Sequence, residues 1–172
     1  MSPVRGVKVF DIWPMESVDV RIRSGVRPVL NNGRNIPLSQ DAALVVALAG
    51  TAIPFAHSAE DEAERWLRAM RLHGQVGSIL QALGVGESPL MTGVEHSDGD
   101  ASPNLGPDVL DDVTDRAGQF AEARRAESIG TADVLFAVLD VYGKRFDRAL
   151  YLRGTSREEL VERLTAAAAQ PH

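Results

Sequence analysis

At Ser39 the pattern of apolar residues changes from strand-like to helical, and this change decides more about the fold than any other feature of the chain. Beyond Ser39, apolar side chains recur three and four positions apart, which places them on one stripe of an α-helix. A typical stripe consists of Ala63, Trp66, Leu67 and Met70. Glycine and proline interrupt the pattern between stripes, as they do between helices. The pattern predicts a mainly α-helical domain over residues 39–172.

Three helices are predicted between residues 39 and 84. Ser39 is a typical N-cap for a run over residues 40–52, and this run is apolar on every side, which is typical of a central buried helix. Ser58 with Asp61 resembles a capping box, with Asp in place of the usual Glu, for the second helix, which ends at His73-Gly74. The third is short, carries one apolar face made of Val76, Ile79, Leu80 and Leu83, and is expected to end at Gly84.

A second helical set follows a break in the pattern. Residues 85–106 are rich in glycine, proline, serine and aspartate, which indicates a linker. Helices are then predicted over residues 107–168, with Pro107 at the first start and a break with a new cap at Gly130-Thr131. A short helix ends at Gly154, and Ser156 with Glu159 forms a capping box for the last one.

The two sets resemble each other. Residues 67–74, with Gly84 beyond them, have a counterpart in residues 135–143, with Gly154 beyond. One four-helix unit cannot cover its own apolar face, so a tandem pair on a shared core is the expected architecture. The predicted fold is therefore one bundle of two pseudo-symmetric four-helix repeats, over residues 39–84 and 107–168.

Residues 1–38 differ from this domain in pattern and in charge. Val18, Val20 and Ile22 alternate with charged residues, which is typical of a β-strand, and Ser24-Gly25 can turn the chain back into a second strand. The segment holds six cations and three acids, a net charge of +3 that leaves −9 for the remainder. We predict a short basic β-hairpin arm, which could join two copies of the chain by edge pairing.

The composition excludes several classes of function. The chain has no cysteine, which rules out a disulfide scaffold, a thiolate metal site and a cysteine nucleophile. Its net charge of −6 argues against a nucleic-acid partner. No apolar run is long enough to span a membrane, and the first residues lack the apolar stretch of a secretory signal. We expect a soluble, cytoplasmic protein with no membrane partner.

No motif points to catalysis or to a cofactor. No two of the four histidines are three or four positions apart, so none forms a metal-binding pair. The acidic clusters at residues 60–62, 111–115 and 158–159 lie in or near first helical turns, where the helix dipole accounts for them. The sequence contains no G-x-S-x-G elbow and no phosphate loop. We expect no catalytic residue, no metal and no cofactor, and hence a protein that is not an enzyme.

Part of the second helical set resembles a known family. Gly106-Pro107-Asp108 is followed by an alanine-rich stretch at residues 117–123, and residues 129–139 read Ile-Gly-Thr-Ala-Asp-Val-Leu-Phe-Ala-Val-Leu. This order resembles the N-terminal domain, or double Clp repeat, of Clp-type protein unfoldases, where the last stretch typically reads Ile-Gly-Thr-Glu-His-Leu-Leu-Leu-Ala-Leu-Leu. The resemblance covers residues 105–164, is fainter over 39–83, and does not extend to 1–38.

The resemblance implies a free-standing binding module, because the chain carries no ATPase motor. The implied partners are a Clp unfoldase, its adaptors or its clients, or a peptide-like small molecule, and the module would act as an adaptor, a regulator or a decoy. Family members that recognise phosphorylated arginine carry Glu-His where this chain has Ala132-Asp133. The implied contact residues lie at helix ends and in the groove between the repeats: Ser58, Glu64, Arg65, Thr131, Ala132 and Asp133.

Two further questions stay open at this point. Lys144 and Arg145 lie at the short helix of the second repeat, where they could form a basic patch for an acidic or phosphorylated partner or serve only a structural role. The pocket expected between the repeats could instead hold a small molecule, either to sequester it or to convert it.

Overall fold

Seven α-helices make up the part of the chain that the computed structural model describes, which is residues 35–85 and 104–169. Within these ranges there is no strand, and no helix combines the length and hydrophobicity needed to cross a membrane. The predicted mainly helical bundle is thus confirmed for this part of the chain. The helices are α1 (Gln40–Ala52), α2 (Ala59–Arg71), α3 (Gly74–Ala82), α4 (Val109–Ala123), α5 (Thr131–Tyr142), α6 (Lys144–Leu152) and α7 (Arg157–Ala168), with a 3-10 turn over Ile53–Phe55.

Serine hydroxyls begin three of these helices where the sequence predicts them. Ser39, Ser58 and Ser156 each accept a hydrogen bond from the backbone amide three residues on, at 3.2, 3.1 and 3.2 Å. Each bond satisfies an amide that has no partner inside its helix. The reciprocal half of the predicted capping boxes is displaced by one residue. The Asp61 carboxylate accepts from the amide of His57, and the Glu159 carboxylate accepts from the hydroxyl of Thr155.

Glycines with positive φ separate the helices at corresponding places in the two sets. Gly74 (φ 68°) is the first residue of α3, and Gly143 (φ 54°) stands between α5 and α6. Gly84 (φ 75°) follows α3 and Gly154 (φ 80°) follows α6. The amide of Val85 donates to the carbonyl of Leu80 at 2.9 Å, and the amide of Thr155 donates to that of Leu150 at 3.1 Å. Both bonds are typical of a Schellman motif. The sequence match between the two sets thus extends to their turns.

Helices α2 and α5 occupy the centre of the bundle. Each of them packs against α3 and α6, and the two also pack against each other. Helix α1 lies against α2, α4 and α5, and α7 lies against α3. The largest fully buried side chains at this centre are Trp66, Tyr142, Phe146, Met70, Leu80, Leu135, Leu150 and Leu160.

The prediction that α1 is buried on every side is wrong. Ala42, Val45 and Ala49 face the core and have no exposed surface, but Leu44 and Leu48 are 41% and 39% exposed. The physical reason is position: α1 lies at the edge of the bundle, so only one of its faces meets other helices. Apolar residues around a whole helix therefore did not indicate a central one.

Two predicted segments lie wholly or mostly outside the described residues. The β-hairpin arm is predicted for residues 1–38, of which only 35–38 are described; they contain no helix or strand, and Leu38 forms an isolated parallel bridge with Ile129. The linker was predicted for residues 85–106, of which 86–103 fall outside. The first set has three described α-helices between residues 39 and 84, and the second has four between 107 and 168.

Candidate functional site

A cavity of about 490 Å³ lies where α1, α3 and α5 begin and α7 ends. Each helix N-terminus contributes backbone N–H groups that have no partner inside the helix, so three such termini at one place make a polar rim. Side chains of α5 and α7 supply the apolar wall. The lining residues are Ser39, Asp41, Gln75, Arg124, Gly130, Thr131, Ala132, Asp133, Phe136, Leu164, Thr165 and Ala168.

A short backbone pairing brings the start of α1 beside the start of α5. The Ser39 amide donates to the carbonyl of Ile129 at 2.9 Å, and the Ile129 amide donates to the carbonyl of Pro37 at 2.8 Å. These bonds hold the segment before α1 parallel to the loop before α5. The cavity rim therefore depends on a contact between residues about 90 positions apart in the sequence.

Arg124 and Asp133 form an ion pair at one side of the cavity. The Asp133 carboxylate accepts from the Nε and Nη2 groups of Arg124 and from the amide of Gly130. The guanidinium also donates to the carbonyl of Ser128 at 3.2 Å. The hydrogen bond with Asp133 raises the pKa of Arg124. Since Asp133 is 2% exposed and already paired, its main effect is to hold the loop between α4 and α5.

Thr131 closes the cavity towards α3. It is 5% exposed, and its hydroxyl lies 3.5 Å from the amide of Val76. A Cβ atom added to Gly74 would stand 2.7 Å from the Thr131 methyl and 3.2 Å from Cβ of Asp41. Only a residue without a side chain fits between these two helix starts, because both walls would meet it. Gly74 thus lets α1, α3 and α5 approach closely.

The other wall is apolar. Phe136, Leu164 and Ala168 face the cavity, and the Phe136 ring packs on that of Phe120 with centroids 6.0 Å apart. Asp41 and Gln75 are exposed at the rim. Such a cavity suits a group that is apolar at one end and polar at the other. The described residues contain no cluster of three or more potential metal ligands.

The structure brings three of the predicted contact residues together. Thr131, Ala132 and Asp133 all line the cavity, as consecutive residues of the first turn of α5. The remaining predicted residues are on other elements and none of them lines it: Ser58, Glu64, Arg65, Lys144 and Arg145.

The predicted residues of α2 are engaged in contacts within the chain. The Ser58 hydroxyl caps the helix. Glu64 forms a salt bridge of 2.8 Å with Arg153, and both side chains are largely buried. Arg65 donates to the carbonyls of Ala52 and Phe55, both at 3.0 Å, and pairs with the carboxylate at position 61. These contacts attach α2 to α1 and to the end of α6.

Arg145 approaches α2 from the start of α6. Its Nε atom lies 3.7 Å from a carboxylate oxygen of Glu60. Lys144, the first residue of α6, is exposed. The starts of α2 and α6 therefore lie close together, in a region that does not include the cavity.

One buried polar group contradicts the dipole interpretation of the acidic clusters. Glu62 is only 1% exposed, although Glu60 and Asp61 beside it occupy the first turn as expected. Its carboxylate accepts a hydrogen bond from Tyr142, whose oxygen accepts one from the indole of Trp66. Burial raises the pKa of Glu62, and it also raises that of Tyr142. The sequence offered a weak signal, since Glu62 precedes the buried stripe by one residue.

The cavity residues on α1, α3 and α7 were not predicted. Ser39 was assigned only a capping role, and Asp41, Gln75 and Leu164 had no functional role. The individual helix starts were recognisable in the sequence. That three of them meet at one cavity is a property of the tertiary structure, and no local pattern signals it.

Comparison with known proteins assigns the chain to no family. No model of a protein family matches it, and no curated protein matches it as a relative. The resemblance to the Clp N-terminal domain therefore stays a prediction from the sequence.

Proposed function

We propose that the chain is a cytoplasmic protein-binding module of the Clp N-terminal type, which acts as an adaptor, regulator or decoy for the clients or ligands of a Clp protease. One observation carries the proposal. Gly130 and Thr131, which match the family's Ile-Gly-Thr, line the cavity together with Ala132 and Asp133, where the chain departs from the family's Glu-His.

The arrangement of the helices supports a tandem repeat. Gly74 corresponds to Gly143 and Gly84 to Gly154, all four with positive φ, and α2 and α5 each contact α3 and α6. Two copies of one unit related by an approximate two-fold axis would produce these shared contacts.

Binding would place one side chain of a partner protein in the cavity. The apolar wall around Phe136 and Leu164 would take the apolar part of that side chain, and the rim with Asp41 and Gln75 would take its polar end. Glu64 and Arg65 would contribute by holding α2 in place, since both are engaged within the chain. Lys144 and Arg145 would form a separate contact for an acidic partner.

The alternative is a small-molecule site in the same cavity. Its volume of about 490 Å³ lies within the range of known ligand sites, and such a protein would sequester a ligand or convert it. Native mass spectrometry of the chain after incubation with a small-molecule extract distinguishes the two, because a bound metabolite would add a discrete mass that a protein-binding module would not retain.

The test is a pull-down of the tagged full chain from a native lysate, with identification of the eluted proteins. Ala132→Phe would place a ring in the cavity and narrow it, and Ala166→Phe on the exposed side of α7 is the matched control. We expect Clp unfoldase subunits, adaptors or clients with the wild type and with Ala166→Phe, and their loss with Ala132→Phe. Their absence from a folded wild-type bait would refute the proposal.

A further inference from the structure

The side of the molecule between α1 and α2 carries an unusual share of the exposed apolar residues. Seven large apolar side chains are more than a third exposed in the described part of the chain, and four of them belong to this helix pair or to the turn that joins it. They are Leu44 (41%), Leu48 (39%), Phe55 (72%) and Leu72 (55%), and we call them the α1–α2 strip.

Contacts at both ends show how the two helices of the pair are oriented. Near the start of α1, Cβ of Asp41 stands 3.2 Å from the place of a Cβ on Gly74, two residues after Leu72. Near its end, Arg65 reaches the carbonyls of Ala52 and Phe55. The two helices therefore run antiparallel. The early residues of α1 lie beside the end of α2.

Helix geometry places Leu44 and Leu48 at the outer edge of that contact. They follow Asp41 by three and seven positions, so the three side chains share one face of α1. The face with Ala42, Val45 and Ala49 is turned to the core. Leu44 and Leu48 thus border α2 without being covered by it.

Two charges accompany the strip. Asp41 lies at one end, on the rim of the cavity, and Arg68 projects from α2 three residues after Arg65. Neither forms an ion pair with a described residue, and Arg68 is exposed. Because α2 runs antiparallel to α1, Arg68 stands level with the later part of α1, about two turns from Asp41.

We propose that the α1–α2 strip binds an amphipathic helix of a partner protein, whose leucine row is accompanied by one basic and one acidic side chain two turns apart. The apolar rows would interdigitate. The basic side chain would meet Asp41 and the acidic one would meet Arg68. This inference rests on the proposed function, and it adds the chemistry of the partner and the place where the partner lies.

The experiment uses the full chain and three fluorescent helical peptides of about 18 residues. All three peptides have the same row of leucines. They differ only at two positions beside this row, seven residues apart, which hold Lys and Glu, Lys and Lys, or Glu and Glu. Fluorescence anisotropy gives the dissociation constants. We expect the Lys/Glu peptide to bind about threefold more tightly than the other two, as surface ion pairs allow.

Variants of the chain then locate the peptide. Leu48→Gln with Leu72→Gln should weaken the Lys/Glu peptide about tenfold. Arg68→Glu should transfer the preference to the Lys/Lys peptide. Tyr151→Gln with Leu152→Gln on α6 is the control, since these residues are 78% and 60% exposed but lie outside the strip, and binding should not change.

Three results would overturn the inference: no peptide binding, equal weakening by the control pair, or a preference that Arg68→Glu leaves unchanged. A wild-type dimer that Leu48→Gln converts to a monomer, with no peptide binding, would assign the strip to a second copy of the chain. The pull-down with Ala132→Phe reports on the proposed function separately. If the chain captures Clp partners but binds no peptide, the proposed function stands and only the inference about the α1–α2 strip fails.

Discussion

The phenol of Tyr142 donates a 3.1 Å hydrogen bond to the carboxylate of Glu62, 80 positions earlier in the chain and only 1% exposed. The same phenol oxygen accepts a hydrogen bond from the indole of Trp66, also at 3.1 Å. The three side chains connect α2 to α5 through the middle of the bundle. Buried polar groups need such partners, because each would otherwise lose its bonds to water without replacement.

Glu62→Gln should stabilise the protein at neutral pH. Burial raises the pKa of Glu62, although hydrogen bonds from Tyr142 and from the Leu105 amide oppose the shift. The folded state therefore holds the Glu62 proton more tightly than the unfolded state. The contribution of Glu62 to the free energy of unfolding is complete below the ordinary pKa of a glutamate and is lost as the pH rises through the raised pKa of the folded state. Gln mimics the protonated form. The free energy of unfolding of the variant should match the wild type near pH 4 and exceed it near pH 7.5.

Urea unfolding at several pH values measures this difference. Glu162→Gln, on an exposed position of α7, should leave the pH dependence unchanged. A Glu62→Gln variant that is less stable than the wild type at neutral pH would mean that the carboxylate gains more from its hydrogen bonds than it loses through burial.

Tyr142→Phe should destabilise the protein by about 1–3 kcal/mol. The substitution keeps the ring but removes the hydroxyl, which leaves the Trp66 indole without its acceptor and the Glu62 carboxylate without one of its donors. The control is Tyr151→Phe, because the Tyr151 side chain is 78% exposed and its hydroxyl can be replaced by water. Chemical denaturation of both variants gives the comparison, and equal losses would show that the buried network contributes nothing.

Gly74→Ala should destabilise the protein more than Gly84→Ala. Both glycines have positive φ, 68° and 75°, so both variants lose about 1 kcal/mol to backbone strain. Only at Gly74 would the new methyl group stand 2.7 Å from Thr131, whereas Gly84 has open space around it. The clash should add about 1–3 kcal/mol. Thermal unfolding of the two variants checks the order, and equal melting temperatures would contradict the close approach of α3 and α5.

Glu64→Ala should cost more stability than Glu60→Ala. The Glu64 side chain is 17% exposed and pairs at 2.8 Å with Arg153, whose side chain is 12% exposed. Its removal leaves a largely buried guanidinium without this partner, at a cost of about 1–3 kcal/mol. Glu60 is 36% exposed and lies 3.7 Å from Arg145, so its removal should cost less than about 0.5 kcal/mol. Denaturant unfolding of both variants provides the test. A larger loss of stability for Glu60→Ala would show that the Glu64–Arg153 ion pair is not the stronger of the two.

Helix starts and turns were predictable because they depend on neighbours in the sequence. Ser39, Ser58 and Ser156 begin helices as expected, since an N-cap requires only a hydroxyl and an amide three residues on. Gly84 and Gly154 end helices as expected, since positive φ favours glycine wherever it occurs. The resemblance between the two helical sets was recognisable in the sequence for the same reason, since it rests on the same local turns.

The candidate site was predictable only in part. Residues 131–133 form part of the cavity, and the resemblance to a family had pointed to them. Asp41, Gln75 and Leu164 reach the same cavity from three other helices, and no local pattern relates them. The resemblance pointed also to Glu64 and Arg65, but their contacts are with α6 and α1.

Local hydrogen bonding and apolar periodicity, which act within a few residues, were enough to establish the helices and their order from the amino-acid sequence. Which side of α1 is buried, and why Glu62 can lie in the core, was decided by contacts between distant residues. The Ser39–Ile129 pairing and the Glu62–Tyr142 bond exist only after the helices have packed. Burial and the convergence of helix ends are properties of that packing, so only the tertiary structure could decide them.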